Sequence, residues 1–304
     1  MRYAAVVAAS VAVAGTLVFA RDGRSEAAPA IRAAVTQAVP ARLAQQPVVG
    51  RGATQEDFRW SGRVARGRTI EIQGIVGDVR AEAASGDQVE VVGRRSGDDA
   101  DRVRIEVVEG DDGVVICAIY PNRRGGSNSG RRSEDPCNDN HGDGEIDAED
   151  ARVDFTVRVP AGVKFASRTV AGNVNATGLS SDVDVATVSG DVTVSTTGTA
   201  RAATVSGDVT ATFGETDGEE MDFASVSGNV TLRLAGNVGA QVSAQTLTGD
   251  IESDFELRRD RGYDDQDDGV HVNIGSSASG TIGRGGPDLS VNTVSGDIRL
   301  ERVR

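Results

Sequence analysis

Residues Thr187 to Val194 read TVSGDVTV, and the chain repeats that phrase as TVAGNVNA from Thr169, TVSGDVTA from Thr204, SVSGNVTL from Ser225, TLTGDIES from Thr246 and TVSGDIRL from Thr293. Aligning Gly172, Gly190, Gly207, Gly228, Gly249 and Gly296 gives spacings of 18, 17, 21, 21 and 47 residues. Two residues before the glycine stands Val170, Val188, Val205, Val226, Leu247 or Val294; two after it stands Val174, Val192, Val209, Val230, Ile251 or Ile298. Five before, every copy but the first is apolar: Val185, Ala202, Phe223, Ala244 and Val291. The residue three before is always Thr or Ser, and the one directly after is always Asp or Asn.

Each column has a physical reading. Apolar positions at −7, −5, −2, +2 and +4 change parity between −5 and −2, so one unbroken strand face cannot hold them. The pattern predicts a corner near the Thr/Ser column and a second turn or bulge at the glycine, where a missing Cβ admits φ > 0. Asp or Asn beside it is expected to hydrogen-bond the local backbone, and the Thr/Ser hydroxyls to stack as a ladder. Copies of this length hold two or three short strands. The predicted fold class is all-β: a right-handed parallel β-solenoid or β-helix-like stack, one coil per copy, about 4.8 Å apart, with an irregular strand-rich start. An antiparallel β-sandwich of hairpins, with a glycine at each tip, satisfies the same columns. A membrane barrel would need aromatic girdles and ten-residue alternation, which the closing IRLERVR lacks.

Upstream, TIEIQGIVGDVRAEA places Ile70, Ile72, Ile75, Gly77, Asp78, Val79 and Ala81 in the same columns, so residues 55–168 read as an elaborated start of the stack that continues through 169–304. Period-two alternation at Val89 and Val91, and at Val103, Ile105 and Val107, marks further strands. The run Val114 to Tyr120 is apolar on both faces, which predicts a strand covered on both sides. The 47-residue gap before Gly296 holds an acidic insertion within 254–269 and two expected strands, VHVNIG from Val270 and SGTIGRGG from Ser279.

Composition sets the limits. Glycine is high at 38 of 304 residues and aromatics supply 4 %, as suits short Val/Thr strands joined by tight turns. A net charge of −14 repels phosphate backbones, so no nucleic-acid partner is expected. Residues 1–20 read as an export signal, with Arg2 ahead of an uncharged apolar run ending at Val18-Phe19-Ala20; left uncleaved, the same segment would be the one membrane attachment. Residues 21–54, broken by Pro29, Pro40 and Pro47, read as a flexible Ala/Pro/Gln-rich linker. Cys117 and Cys137 are expected to pair in an oxidising compartment and close a loop worth about 3 kcal/mol.

The sequence resembles the bacterial family of putative adhesins with β-strand repeats, a domain of otherwise unknown function. The VSGDV repeats carry the resemblance, with VDFTVRVPAGVKF from Val153 to Phe165 and the closing SGTIGRGG and LSVNTVSGDIRL; it covers about residues 58 to 300. It implies an exported or membrane-attached protein and carries over no catalytic residues.

Chemistry is sparse. His141 and His271 are the two imidazoles, and His271 alternates with Val270 and Val272 as an outward strand position would. The VSGD serines recur as a turn requires, and no phosphate loop or zinc spacing is present. In the acidic loop 122–151, Asp139, Asp143, Asp147 and Asp150 fall at positions 1, 5, 9 and 12 of a calcium-type loop with Gly144 at position 6. His141 displaces a ligand at position 3, and RVDFTVRVP follows where a helix should. Calcium is therefore the one cofactor with a candidate site. The aspartates after each glycine form a second carboxylate row, read as structural capping rather than catalysis. The expected function is that of a non-enzymatic exported cell-envelope module, an adhesin or scaffold with a protein or glycan partner, periplasmic or on the surface. A polysaccharide-binding or polysaccharide-cleaving β-helix is the alternative.

Overall fold

The computed structural model describes residues 57–121, 137, 150–214, 220–261 and 275–303. The export signal, the 21–54 linker, Asp139, Asp143, Asp147, both histidines and the expected strand at 270–274 lie outside these. The strands are β1 (Phe58–Gly62), β2 (Thr69–Gln73), β3 (Val79–Ala83), β4 (Val89–Ser96), β5 (Arg104–Gly110), β6 (Gly113–Ile119), β7 (Arg152–Val159), β8 (Lys164–Ala171), β9 (Val174–Leu179), β10 (Val183–Ser189) and β11 (Val192–Thr196). They continue as β12 (Ala200–Ser206), β13 (Val209–Phe213), β14 (Met221–Ser227), β15 (Val230–Ala235), β16 (Ala240–Thr248), β17 (Ile251–Ser253), β18 (Arg258–Arg261), β19 (Ser276–Ile282), β20 (Asp288–Ser295) and β21 (Ile298–Val303).

Every repeat is one coil of two strands, the glycine standing between them. The first strand joins an eleven-stranded sheet, in the order β18-β19-β16-β20-β14-β12-β10-β8-β2-β6-β5; the second joins a ten-stranded sheet, β1-β4-β7-β3-β9-β11-β13-β15-β21-β17. Successive coils pair in parallel and in register, Val183 with Ala200 and Thr187 with Thr204 on one sheet, Val192 with Val209 on the other. The repeats therefore form the expected parallel stack and not the hairpin sandwich. Among the described residues antiparallel pairing occurs at the two ends: β4 with β1 and β7, and β5 with β6, at one; β19 with β16 and β18 at the other.

The core lies between the sheets. In β10 and β11 the inward side chains Val183, Val185, Val192 and Val194 are each at most 2 % exposed, and equivalent positions repeat along the stack. Burial of a Val is worth about 1.5–3 kcal/mol, so a coil gains its stability only when neighbours cover both sides.

One expectation fails here in an informative way. The chain makes no corner at the Thr/Ser column: β10 runs unbroken through Thr187 to Ser189, and Thr187 is buried with Val183 and Val185. The inward set is therefore −7, −5 and −3, and the apolar −2 residue is the one that faces out. Parity changes because a hydroxyl residue rather than an apolar one occupies the third inward position.

Coil order also departs from chain order. The coil β20–β21 sits between β14–β15 and β16–β17, and at the other end β2–β3 sits between β6–β7 and β8–β9. Each extreme repeat of the sequence is thus the penultimate coil of the stack. The 47-residue gap is the detour that permits this. Its acidic insertion begins with β18, and its SGTIGRGG segment supplies part of β19.

Candidate functional site

The glycine corners align into one edge, where the sequence concentrates its carboxylates. At Gly190, Gly207, Gly228, Gly249 and Gly296, φ lies between 145° and 155°, a region favouring glycine. Stacking adds a second demand: a Cβ on Gly207 would strike the carbonyl oxygen of Gly190 in the coil below, and Gly228 stands likewise over Gly207. Gly172 does not have the positive φ of the other five, yet its Cβ would strike the Gly77 carbonyl oxygen, so stacking alone requires glycine there.

The Thr/Ser column serves the same corner from inside. Thr187 Oγ1 donates to the Gly172 carbonyl at 3.0 Å, Thr204 to Gly190 at 3.0 Å, Ser225 to Gly207 at 3.0 Å, Thr293 to Gly228 at 3.0 Å and Thr246 to Gly296 at 2.9 Å. The hydroxyls occupy the expected inner row but bond to glycine carbonyls rather than to one another. A buried carbonyl is costly without a donor, and each coil supplies one to its neighbour. The series stops at β8, where Thr169 Oγ1 and Ser167 Oγ are buried without partners.

On the outside, the Asp/Asn column forms a relay. Asn173 N–H donates to Asp78 Oδ1 at 2.8 Å, Asp191 to Asn173 at 2.8 Å, Asp208 to Asp191 at 2.9 Å, Asn229 to Asp208 at 2.7 Å, Asp297 to Asn229 at 2.9 Å and Asp250 to Asp297 at 3.1 Å. Asp154 extends the row, accepting from Asp78 N–H at 2.8 Å. These side chains were expected to cap their own turn. They cap the next coil instead, because the corner points its N–H along the stack axis and the neighbour's oxygen lies one strand spacing away. Arg152 ties Asp78 and Asp154 at 2.6 and 2.7 Å, and Arg299 reaches Asp297 at 3.2 Å.

This geometry makes the row a fastening. One oxygen of each acceptor is spent on a backbone amide, and Asn serves at two positions as well as Asp does, so a negative charge is not required. Among the described residues no group of three or more His, Cys, Asp or Glu side chains is arranged to hold a metal ion. Of the calcium-loop candidates only Asp150 is described; it is exposed in a turn, and its backbone carbonyl lies against Gly97.

The cysteines pair: Cys117 and Cys137 form a disulfide with Cα atoms 5.6 Å apart. Cys117 belongs to β6, and both cysteines are buried, so the bridge covers the outer side of a strand whose inner side packs in the core. On that outer side Cys117 is fully covered while Val115 and Ile119 are half-buried. Next to it, the Tyr120 hydroxyl donates to the Val76 carbonyl at 2.9 Å, and burial pushes its pKa up to about 12.

The molecule is thus a two-sheet parallel β-solenoid with antiparallel caps, whose most regular polar feature fastens coils together. Residues 68–301 match the family model described as Toastrack DUF4097, and the chain belongs to that family. A solved structure described as a "putative cell adhesion protein" from Clostridium sporogenes is similar at 10 % identity, over 82 % of this chain and 100 % of that one, with a TM-score of 0.40. A "putative adhesin" from Bacteroides fragilis is similar at 10 % identity over 82 % and 98 %, with a TM-score of 0.29. No curated protein matches the sequence.

Proposed function

We propose that the protein acts by contact rather than catalysis, as an exported cell-envelope module that holds or adheres to a protein or glycan partner. The observation that carries this reading is the relay of Asp and Asn side chains: the most extensive carboxylate row in the described structure is committed to coil-to-coil bonds, with Asn interchangeable for Asp. The Cys117–Cys137 disulfide supports an oxidising compartment, where such bonds persist. Cell fractionation with protease added to intact cells tests the location; a full-length chain recovered only in the cytosol, with reduced cysteines, overturns it. Incubation of the full chain with envelope and plant glycans tests the chemistry. Binding without cleavage is expected, unchanged in the Asp191→Asn/Asp208→Asn variant. Glycan hydrolysis lost in that variant would make the row catalytic and the reading wrong.

A further inference from the structure

The outward −2 column leaves an apolar ridge on the eleven-stranded sheet. Val188, Val205, Val226, Val294 and Leu247 follow one another on β10, β12, β14, β20 and β16, all half-buried and none packed against the core. Val170 on β8 continues the ridge while also touching the core. Beside it Ala186, Ala203 and Ala224 form a second apolar row, and beyond that lies a charged row of Asp184, Arg201 and Asp222. Outward faces of water-exposed sheets normally alternate polar side chains here.

We propose that this face binds a second copy of the same chain, the two sheets packing face to face about a two-fold axis parallel to the strands and midway between β12 and β14. That operation keeps strand direction and reverses coil order. It lays the ridge on itself, Val205 against the partner's Val226, Val188 against the partner's Val294, and Val170 against the partner's Leu247. It lays Ala203 against the partner's Ala224. It sets Arg201 against the partner's Asp222, Asp184 against the partner's Ser290, and Arg168 against the partner's Gln245, with no like charges opposed in these rows; at the strand starts Asp182 comes opposite the partner's Asp288. An axis on β12 would oppose Asp184 to the partner's Asp222, and one on β14 would oppose the two copies of Asp222. Arg201 and Asp222 are register neighbours within one chain, so two copies set two arginines and two aspartates around the axis. Six strands about 4.8 Å apart and seven residues long present about 650 Å² per copy, or about 1,300 Å² together, within the range of specific interfaces.

Sedimentation equilibrium of the purified full chain across a concentration series tests this, with circular dichroism melts to verify that each variant is folded. A reversible monomer–dimer equilibrium is expected. Val205→Glu, Arg201→Asp and Asp222→Arg should each weaken association by about tenfold or more, and the double variant Arg201→Asp/Asp222→Arg should restore it. A chain that stays monomeric throughout, a dimer indifferent to Val205→Glu, or a double variant no tighter than the singles overturns the proposal. The outcome is independent of where the protein is exported or what it adheres to.

Discussion

The middle of this molecule and its two ends are built from the same coil and obey different rules. From β8 to β15 the chain adds one coil after another, each in register with the last, and every corner is fastened by the same hydroxyl and the same Asp or Asn. At the ends the coils are taken out of chain order, strands turn antiparallel, and a disulfide and long connections appear. The column contacts cannot be what fixes the order of coils, since Thr293 and Asp297 make the standard bonds while standing between repeats that precede them in the chain. These column contacts do not distinguish one neighbour from another. Order is imposed by the connections and by the caps, which among the described residues end three of the four sheet edges on antiparallel strands and leave the short β17 parallel to β21 at the fourth; the charged edge strand β5, with Arg104, Glu106 and Glu109, discourages further pairing.

Four experiments would sharpen or break that contrast. Gly207→Ala, in the middle, forces a Cβ into the Gly190 carbonyl at a positive φ and should cost about 3–4 kcal/mol in urea unfolding. Gly110→Ala, at the end of β5, meets no atom within 4 Å and should stay within about 0.5 kcal/mol. Equal costs would show that glycine is used for local flexibility rather than for stacking. The Cys117→Ser/Cys137→Ser variant should lose about 3 kcal/mol, and hydrogen exchange should rise first in β5 and β6 while β10 to β13 stay protected. Uniform exchange would mean that ends and middle unfold as one unit.

The third test divides one column at the seam. Thr204→Val leaves the Gly190 carbonyl without its donor and should destabilise by about 1 kcal/mol, whereas Thr169→Val removes a buried hydroxyl that has no partner and should be neutral or stabilising by a similar amount. The same sign for both would refute the carbonyl-capping account. The smallest effect concerns the corner opposite the glycines. Burial pushes the Asp182 carboxyl up, but bonds from Lys164 and Thr199 outweigh it and hold the pKa below the usual carboxylate range. Its contribution is present above the unfolded-state pKa and fades as pH falls through the lower folded-state value. Asp182→Asn should therefore lower the melting temperature slightly at pH 7, and the difference should vanish in strong acid.

Much of the fold was legible because a solenoid writes its geometry as columns. The glycine and Asp/Asn positions marked the corner, Val185 and Val192 marked the core, and the match at Ile70 to Ala81 brought the first coil into the stack. Three features were not legible. Thr187 reads as polar, which suggests a corner, although its hydroxyl has a backbone partner inside. Val188 reads as core, although apolarity alone cannot say which side of a sheet a side chain takes. Asp191 can accept from its own turn or from the next coil, and both leave the same residue in the sequence. Stacking order was invisible for a related reason, since interchangeable coils carry no address. The disulfide is legible from two cysteines and an inferred compartment, while of the calcium-loop candidates only Asp150 lies among the described residues, exposed in a turn.

The inserted terminal coils have a consequence for how such a protein can change over generations. Because both caps are made by sequence outside the central run, a duplication or deletion of one 17-residue unit, such as Gly190 to Ser206, touches neither end. It would lengthen or shorten the body by about one strand spacing, roughly 4.8 Å, and leave every fastening intact. Reach thus becomes a heritable quantity adjustable in fixed increments, without redesign of the parts that keep the molecule finite.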